Sequence, residues 1–145
     1  MKKLHLTILI NAPKKKVWHT MLDPEGFKIW TALFCEGSYF EGSWNKGEKI
    51  RFLTPDGNGM TSMIAENKPF EFVSIKHLGI IKEGVDDLES PDSKTWANVF
   101  ENYTFTERDG ATEVKVEMDV PPEYEEFMNR TWPKALARLK EICEK

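Results

Sequence analysis

Two side chains that could hold or move a proton lie within apolar runs of the sequence. His77, in FVSIKHLG, has the strand parity of Val73 and Ile75, and Glu101, in ENYTFTE, has the parity of Tyr103. Because alternate strand residues face one side, an imidazole and a carboxylate are expected on an apolar wall, where they could orient a ligand or transfer a proton. A carboxylate placed there needs a hydrogen-bond donor. A solvent-exposed strand end, or a bulge that reverses the parity, is the alternative for both residues.

Other catalytic chemistries lack the spacing that they require. The chain has no HExxH motif and no histidine pair one helical turn apart, so no metal site is expected. Residues 42–47 have the glycine spacing of a phosphate-binding loop, but Glu48 stands where lysine is required, so a hairpin turn is expected instead. No GxSxG motif occurs, and neither cysteine has a neighbouring histidine. The sequence therefore predicts no metal, no cofactor and no assigned catalytic residue.

Aromatic residues are frequent enough to line a pocket as well as a core. The chain has five tryptophans and nine phenylalanines. Core packing is the commoner role for such side chains and is the interpretation for Trp18, while contact with a ligand is the alternative for the tryptophans. The candidates for ligand contact are Trp30, Phe52, His77, Glu101, Tyr103, Phe127, Trp132 and Leu136.

Composition limits the classes of function. The net charge of -4, with acidic residues spread along the chain, argues against a nucleic-acid partner. A length of 145 residues predicts a single domain, residues 1–145. No stretch approaches a membrane span, and the amino-terminal apolar run is short and interrupted, so a cytoplasmic protein without membrane insertion is expected. Cys35 and Cys143 are expected to be reduced, buried thiols.

The hydrophobic period predicts the elements that position these residues. Alternation in LHLTILIN indicates a first strand with one buried face. A short helix opened by Pro13 follows, and a second one, capped by Asp23 and opened by Pro24, is expected to end near Trp30. Short β-rich runs separated by turns predict an antiparallel meander over residues 34–120.

Three further details can be compared with a structure. Asp109-Gly110 is a hairpin signal that pairs Glu101 with Met118. The polar residues 82–94 predict a mobile loop, which could act as a lid. The apolar stripe of residues 122–145 predicts one long helix, kinked at a proline and packed on the concave sheet through Phe127, Trp132 and Leu136.

The order of elements and four stretches of sequence together resemble a known family. The stretches are INAPKKKVWHTMLDPEGFKIW, EGSWNKGEKIRF, IKHLG with ENYTF downstream, and WPKALARLK. They resemble bacterial START-like (SRPBCC) proteins of the activator of heat shock protein 90 ATPase homologue type. The resemblance implies a helix-grip α+β fold, also called Bet v-like, in which a curved antiparallel sheet and a long carboxyl-terminal helix enclose a cavity for an apolar ligand. It also implies that Trp30, at the end of the second short helix, borders the mouth of this cavity. It implies no universal catalytic residues.

Three classes of function follow from these observations. The leading one is a non-enzymatic domain that binds a small hydrophobic or amphipathic molecule. The second is a cyclase-like or dehydratase-like enzyme in which His77 or Glu101 moves a proton. The third is a co-chaperone-like module with a protein partner, although the namesake's partner-binding amino-terminal domain has no counterpart in this sequence.

Overall fold

The structure, a computed structural model, describes residues 1–145. A curved antiparallel sheet wraps around a long carboxyl-terminal helix, and two shorter helices follow the first strand, which confirms the predicted helix-grip α+β fold. The strands are β1 (Lys2–Ile10), β2 (Tyr39–Gly42), β3 (Lys49–Leu53), β4 (Gly59–Lys68), β5 (Phe72–Lys82), β6 (Val85–Asp87), β7 (Val99–Arg108) and β8 (Ala111–Val120). The helices are α1 (Lys14–Leu22), α2 (Pro24–Thr31), α3 (Pro91–Trp96) and α4 (Glu125–Cys143).

The eight strands form one sheet in the order β1-β8-β7-β5-β4-β3-β2, and β6 pairs with the last residues of β5. Every pairing is antiparallel, so the predicted meander is confirmed. The register predicted from the Asp109-Gly110 turn is also the observed one, from the turn out to Glu101 opposite Met118. Both turn residues have positive φ, 53° and 80°, as a two-residue hairpin of this kind requires.

Period-two alternation gives the sheet an apolar inner face. In β1, Ile10 is fully buried and Leu4, Leu6 and Ile8 are half-buried, whereas the intervening residues are exposed. In β8, every second residue from Thr112 to the end of the strand is buried. The inner face is therefore set by local sequence, because each strand can bury only one of its two rows of side chains.

The two short helices begin at proline-containing turns, as predicted, with two local differences. Pro13 is the N-cap of α1 and not its first helical residue. Pro24 opens α2, but the Asp23 side chain makes no capping hydrogen bond. Asp23 also ends α1, and its carboxylate lies 3.4 Å from Nδ1 of His19, one turn earlier. Asp23 is therefore the N-cap residue of α2, as predicted, but its carboxylate lies beside His19 and makes no capping hydrogen bond.

The polar residues 82–94, predicted to form a loop, contain regular structure. β6 lies within this segment and adds to the edge of β5. The Asp86 carboxylate accepts hydrogen bonds from Lys49 Nζ at 2.7 Å and from Arg51 Nη2 at 3.0 Å. The loop interpretation is wrong because the charged residues of the segment pair with a distant strand, which composition alone does not reveal. The predicted mobility of residues 84–94 stays a prediction.

The second half of that segment forms α3. The Ser90 hydroxyl caps this helix by accepting a hydrogen bond from the Ser93 backbone N–H. Trp96, at the other end of the helix, is buried at 8% exposure. A cap at one end and a buried tryptophan at the other explain why a polar sequence is ordered here.

Helix α4 carries the apolar stripe that the periodicity predicts. A short 3-10 turn at Pro122–Tyr124 precedes it, so the α-helix begins three residues later than expected. Phe127 is 38% exposed and lies near the start of the helix, so the prediction that it packs on the sheet is wrong. Pro133 lies inside the helix, and the kink expected there stays a prediction. The buried residues of α4 are Thr131, Trp132, Ala135, Leu136, Leu139 and Cys143.

The two cysteines are both free, but their environments differ. Cys143 is buried, as predicted, whereas Cys35 is exposed in the turns that follow α2. The expectation for Cys35 is wrong because that stretch lies outside the packed face of any strand or helix. As for membranes, none of the helices combines the length and the apolar character that crossing a bilayer requires.

Replacement of Trp132 by alanine should lower the free energy of unfolding by about 3 to 5 kcal/mol, because a large buried aromatic is lost from the core. Trp132 is 2% exposed, and its ring centroid lies 5.0 Å from Phe34 and 5.8 Å from Trp30. Urea denaturation measures the change. Phe127→Ala on the same helix is the control and should cost clearly less. Equal losses in the two variants would contradict the assignment of Trp132 to the core.

Candidate functional site

A cavity of about 440 Å³ lies between α2, α4 and the inner face of the sheet. Twenty residues line it, and ten of these are phenylalanine, tyrosine or tryptophan. Phe27 and Trp30 come from α2, Phe127 and Trp132 from α4, and Trp96 from α3. The volume and the aromatic walls are those of a site for a small, largely apolar molecule.

Three polar residues of the cavity wall, His77, Glu101 and Tyr103, form a hydrogen-bonded chain with the buried Ser62, and we call this chain the Glu101 network. Ser62 Oγ lies 2.7 Å from His77 Nδ1, and His77 Nε2 lies 3.1 Å from Glu101 Oε1. The Tyr103 hydroxyl donates to Glu101 Oε2. Each carboxylate oxygen therefore has a partner, which supplies the donors that a carboxylate on an apolar wall requires.

A β-bulge aligns the first two members of the Glu101 network. Thr61 pairs with Gly79 and Ser62 pairs with His77, so Leu78 has no partner on β4. One extra residue on β5 thus brings Ser62 directly opposite His77, and their side chains are 0% and 3% exposed. The alternative in which a bulge turns His77 away from the core does not hold, because the bulge follows His77 in the strand.

The hydrogen bonds assign the tautomer of a neutral His77. Glu101 accepts through its carboxylate oxygen, so Nε2 carries the hydrogen and Nδ1 accepts from the Ser62 hydroxyl. A hydroxyl can also accept a hydrogen bond, so Ser62 suits either tautomer. Beside a carboxylate, however, only the tautomer with hydrogen on Nε2 pairs both imidazole nitrogens, because hydrogen on Nδ1 would leave the Nε2 lone pair facing Glu101 Oε1.

The phenol of Tyr103 is held in its protonated form. Burial, with the adjacent Glu101 charge and the hydrogen bond to it as further causes, raises the pKa of Tyr103 well above its usual value. Tyr103 therefore acts as a donor to Glu101. Tyr103, His77 and Glu101 all line the cavity, so the carboxylate and its two donors lie on the same wall.

The network is not a serine hydrolase triad, although it contains serine, histidine and a carboxylate. Ser62 is fully buried, does not line the cavity and bonds to Nδ1, the imidazole nitrogen that a triad reserves for the acid. A substrate in the cavity would meet Glu101 and His77 before Ser62. No group of three or more histidine, cysteine, aspartate or glutamate side chains is placed to hold a metal ion.

Seven of the eight residues predicted from the sequence to contact a ligand line this cavity. They are Trp30, Phe52, His77, Glu101, Tyr103, Phe127 and Trp132. Leu136 does not, because it lies one turn beyond Trp132 in α4 and is buried in the core at 2% exposure. That placement of Leu136 corrects the prediction. Trp30 is 1% exposed, which is less than a place at the cavity mouth implies. Its Nε1 donates a hydrogen bond to the Met21 carbonyl at 2.9 Å.

Sequence reasoning missed several residues of the site. Phe27 has a usable signal, since it shares a face of α2 with Trp30, and their ring centroids are 5.6 Å apart. Trp96 has none, because it lies in the segment predicted as a loop. Ser62 becomes a partner of His77 only through the bulge at Leu78, and bulges are not marked reliably by residue type.

Comparison with protein-family models gives one match. The model described as "Activator of Hsp90 ATPase homolog 1-like protein" matches residues 11–144. The chain belongs to this family. This match confirms the resemblance that was inferred from the sequence motifs. A search of curated protein sequences gave no match.

Several solved structures share the fold of this family member. The Aha1 dimer from Colwellia psychrerythraea, solved in solution, has a TM-score of 0.75 and 18% identity, with 99% of this chain and 97% of that chain covered. Protein MLL2253 from Mesorhizobium loti has a TM-score of 0.75 and 13% identity, with 97% and 95% covered. DynU16, from the dynemicin biosynthetic locus, has a TM-score of 0.71 and 17% identity, with 100% and 48% covered. At these identities the likeness shows the fold alone.

The raised pKa of Tyr103 predicts a loss of stability at alkaline pH. The unfolded chain loses its phenolic proton first, so the stabilisation by the protonated phenol is complete below about pH 10 and decreases as pH rises above it. Urea denaturation of native protein and Tyr103→Phe between pH 8 and pH 11 measures this effect. The variant should be less stable at pH 8 by about 1 kcal/mol, and the difference should shrink as pH rises.

Tyr124→Phe is the matched control, because Tyr124 is 40% exposed. Its difference from the native protein should stay constant over the same pH range. A constant difference for Tyr103→Phe as well would contradict the role of Tyr103 as a buried donor.

Proposed function

We propose that this protein binds a small, largely apolar or amphipathic molecule in the cavity between the sheet and α4. The observation that carries the proposal is an aromatic-walled cavity of about 440 Å³ with one polar network on its wall. Ligand sites of this type have volumes of about 300 to 1,000 Å³ and combine apolar walls with a few polar groups that fix orientation. The family fold is consistent with this function.

Affinity would come mainly from aromatic contact. The rings of Phe27, Phe52 and Trp30 lie within one cluster, with centroid distances of 5.9 Å from Phe27 to Phe52 and 5.6 Å from Phe27 to Trp30. Rings held in this way lose little conformational entropy when a ligand binds. A flat, apolar ligand would therefore be bound by a wall that is already formed.

Orientation would come from Glu101 and His77, which line the cavity at 13% and 4% side-chain exposure. Both are anchored by hydrogen bonds to the protein, so their polar atoms have defined positions before a ligand arrives. Polar atoms that are held in fixed positions can orient a ligand without first rearranging. The ligand contacts of Trp30, Phe52, Tyr103, Phe127 and Trp132 are part of the same proposal.

One observation favours a second function, proton transfer to or from the ligand. The Glu101 carboxylate opens into an apolar cavity and lies 3.1 Å from an imidazole nitrogen, which is the arrangement of a general acid or base. DynU16, a neighbour in fold, belongs to a biosynthetic locus, which is compatible with chemistry on small molecules. The co-chaperone alternative has the family description and the Aha1 neighbour as its support.

We also propose that the protein acts in the cytoplasm. The support is that its two cysteines are both unpaired, and one of them, Cys35, is exposed. Exposed thiols stay reduced most readily in the cytosol.

The uncharged fluorescent probe N-phenyl-1-naphthylamine should bind to the native protein and fluoresce more strongly, because it is apolar and aromatic. Met128→Trp replaces a side chain of the cavity wall by a larger aromatic one, which reduces the space for the probe. The substitution should weaken probe binding by about tenfold or more. Ile29→Trp is the matched control, since Ile29 is 39% exposed on α2 and does not line the cavity. Fluorescence titration measures both. Absence of binding, or equal affinities in the two variants, would count against the cavity as the binding site.

The two functions differ in what they predict for an enolisable ketone. Incubation of 2-tetralone with the protein in heavy water allows a base to remove a hydrogen next to the carbonyl, and deuterium replaces it. If binding is the function, native protein and Glu101→Gln should give the same slow exchange by mass spectrometry. Faster exchange with native protein than with Glu101→Gln would overturn this and favour proton transfer.

A further inference from the structure

The cavity wall has an unusual distribution of charge for a site that binds apolar molecules. Its twenty lining residues include one carboxylate, that of Glu101, and neither lysine nor arginine. A ligand carboxylate would therefore lie in the same apolar space as Glu101 with neither lysine nor arginine on the wall to pair with it. Like charges repel strongly in such surroundings, and an unpaired buried charge is costly. Fatty acids and aromatic acids fit this wall poorly.

Glu101 keeps free capacity to accept hydrogen bonds. An ionised carboxylate has about four lone-pair sites. His77 Nε2 uses one on Oε1, and the Tyr103 hydroxyl uses one on Oε2. The remaining sites belong to a side chain that lines the cavity and is 13% exposed. The group that matches them on a ligand is a hydrogen-bond donor.

The rings around this carboxylate suit the same ligands. The ring centroids of Phe52 and Trp96 lie 6.1 and 6.5 Å from that of His77, the neighbour of Glu101 in the network. Aromatic faces pack against the flat carbon frame of a phenol, and they attract an ammonium group through their π electrons. They give no corresponding attraction to an anion.

We infer that the cavity selects apolar molecules that carry a hydroxyl or amine donor for Glu101, and that it rejects carboxylic acids of the same shape. The inference rests on the proposed function and specifies its ligand class. Glu101 is the specificity-determining residue, and His77 and Tyr103 are positioning residues that hold its carboxylate.

The substitution Glu101→Gln tests this and leaves a satisfied network. The glutamine amide can donate to His77 Nε2 while its carbonyl accepts from the Tyr103 hydroxyl. His77 then carries its hydrogen on Nδ1 and donates to Ser62 Oγ, which lies 2.7 Å away. The variant should therefore fold, and circular dichroism and thermal melting check that it does. Glu123→Gln removes an exposed carboxylate beside the cavity-lining Tyr124 and is the control for overall charge.

Four naphthalene probes of nearly equal size separate the effect of a donor group from that of a carboxylate. Their affinities at pH 7 are measured by displacement of N-phenyl-1-naphthylamine. We expect 2-naphthol and 2-(aminomethyl)naphthalene to bind to the native protein about tenfold tighter than 2-methoxynaphthalene, which has no donor. We expect 2-naphthoate to bind about tenfold weaker than 2-methoxynaphthalene. In Glu101→Gln both differences should fall below about threefold, whereas Glu123→Gln should behave as the native protein does.

The possible failures are distinguishable. Equal affinities of all four probes for the native protein would overturn the donor selection and leave the binding function standing. Tighter binding of 2-naphthoate than of 2-methoxynaphthalene would also overturn the selection. Persistence of the native pattern in Glu101→Gln would overturn the role of Glu101. Binding by none of the four probes, or by N-phenyl-1-naphthylamine itself, would overturn both the inference and the proposed function.

Discussion

The cavity exists because one helix covers only part of a concave sheet. Helix α4 packs along β1 and against α1 and α2, and the aliphatic residues of its stripe, Ala135, Leu136 and Leu139, are buried. Towards the amino-terminal part of α4, the buried face changes from Ala135 and Leu139 to Trp132, and Phe127 lines the cavity at 38% exposure. The space that remains there is the cavity.

The same geometry explains why the polar network lies where it does. His77 and Glu101 occupy inward positions on β5 and β7, opposite the part of the helix that does not reach the sheet. In the filled half of the interior, inward strand positions hold residues such as Val114 and Val116, both fully buried. A carboxylate is tolerated on the inner face where hydrogen-bond donors reach its oxygens. The Tyr103 hydroxyl and His77 supply those donors.

How far the sequence predicts this site depends on the range of the interactions involved. The Asp109-Gly110 turn fixed the register of β7 and β8, and strand parity placed Glu101 and His77 inward, because both rules act between near neighbours. The bulge at Leu78, the pairing of Asp86 with Arg51 and the burial of Trp96 depend on residues far apart in the chain. The first group of features was predictable and the second was not. Leu136 shows the limit within a helix, since periodicity gives the packed face but not the point along it where the cavity ends.

Several cavity residues serve both the core and the site, and this governs how mutations can be interpreted. Trp132 and Trp30 contact each other, with centroids 5.8 Å apart, and also line the cavity, so truncating either one weakens folding and binding together. Glu101 differs, because its exchange for glutamine keeps the shape and the hydrogen bonds while it removes the charge. A ligand that fills the cavity should in turn stabilise the fold, since it binds to the native state only. The aromatic residues therefore report on whether the cavity is formed, and Glu101 reports on what the cavity selects.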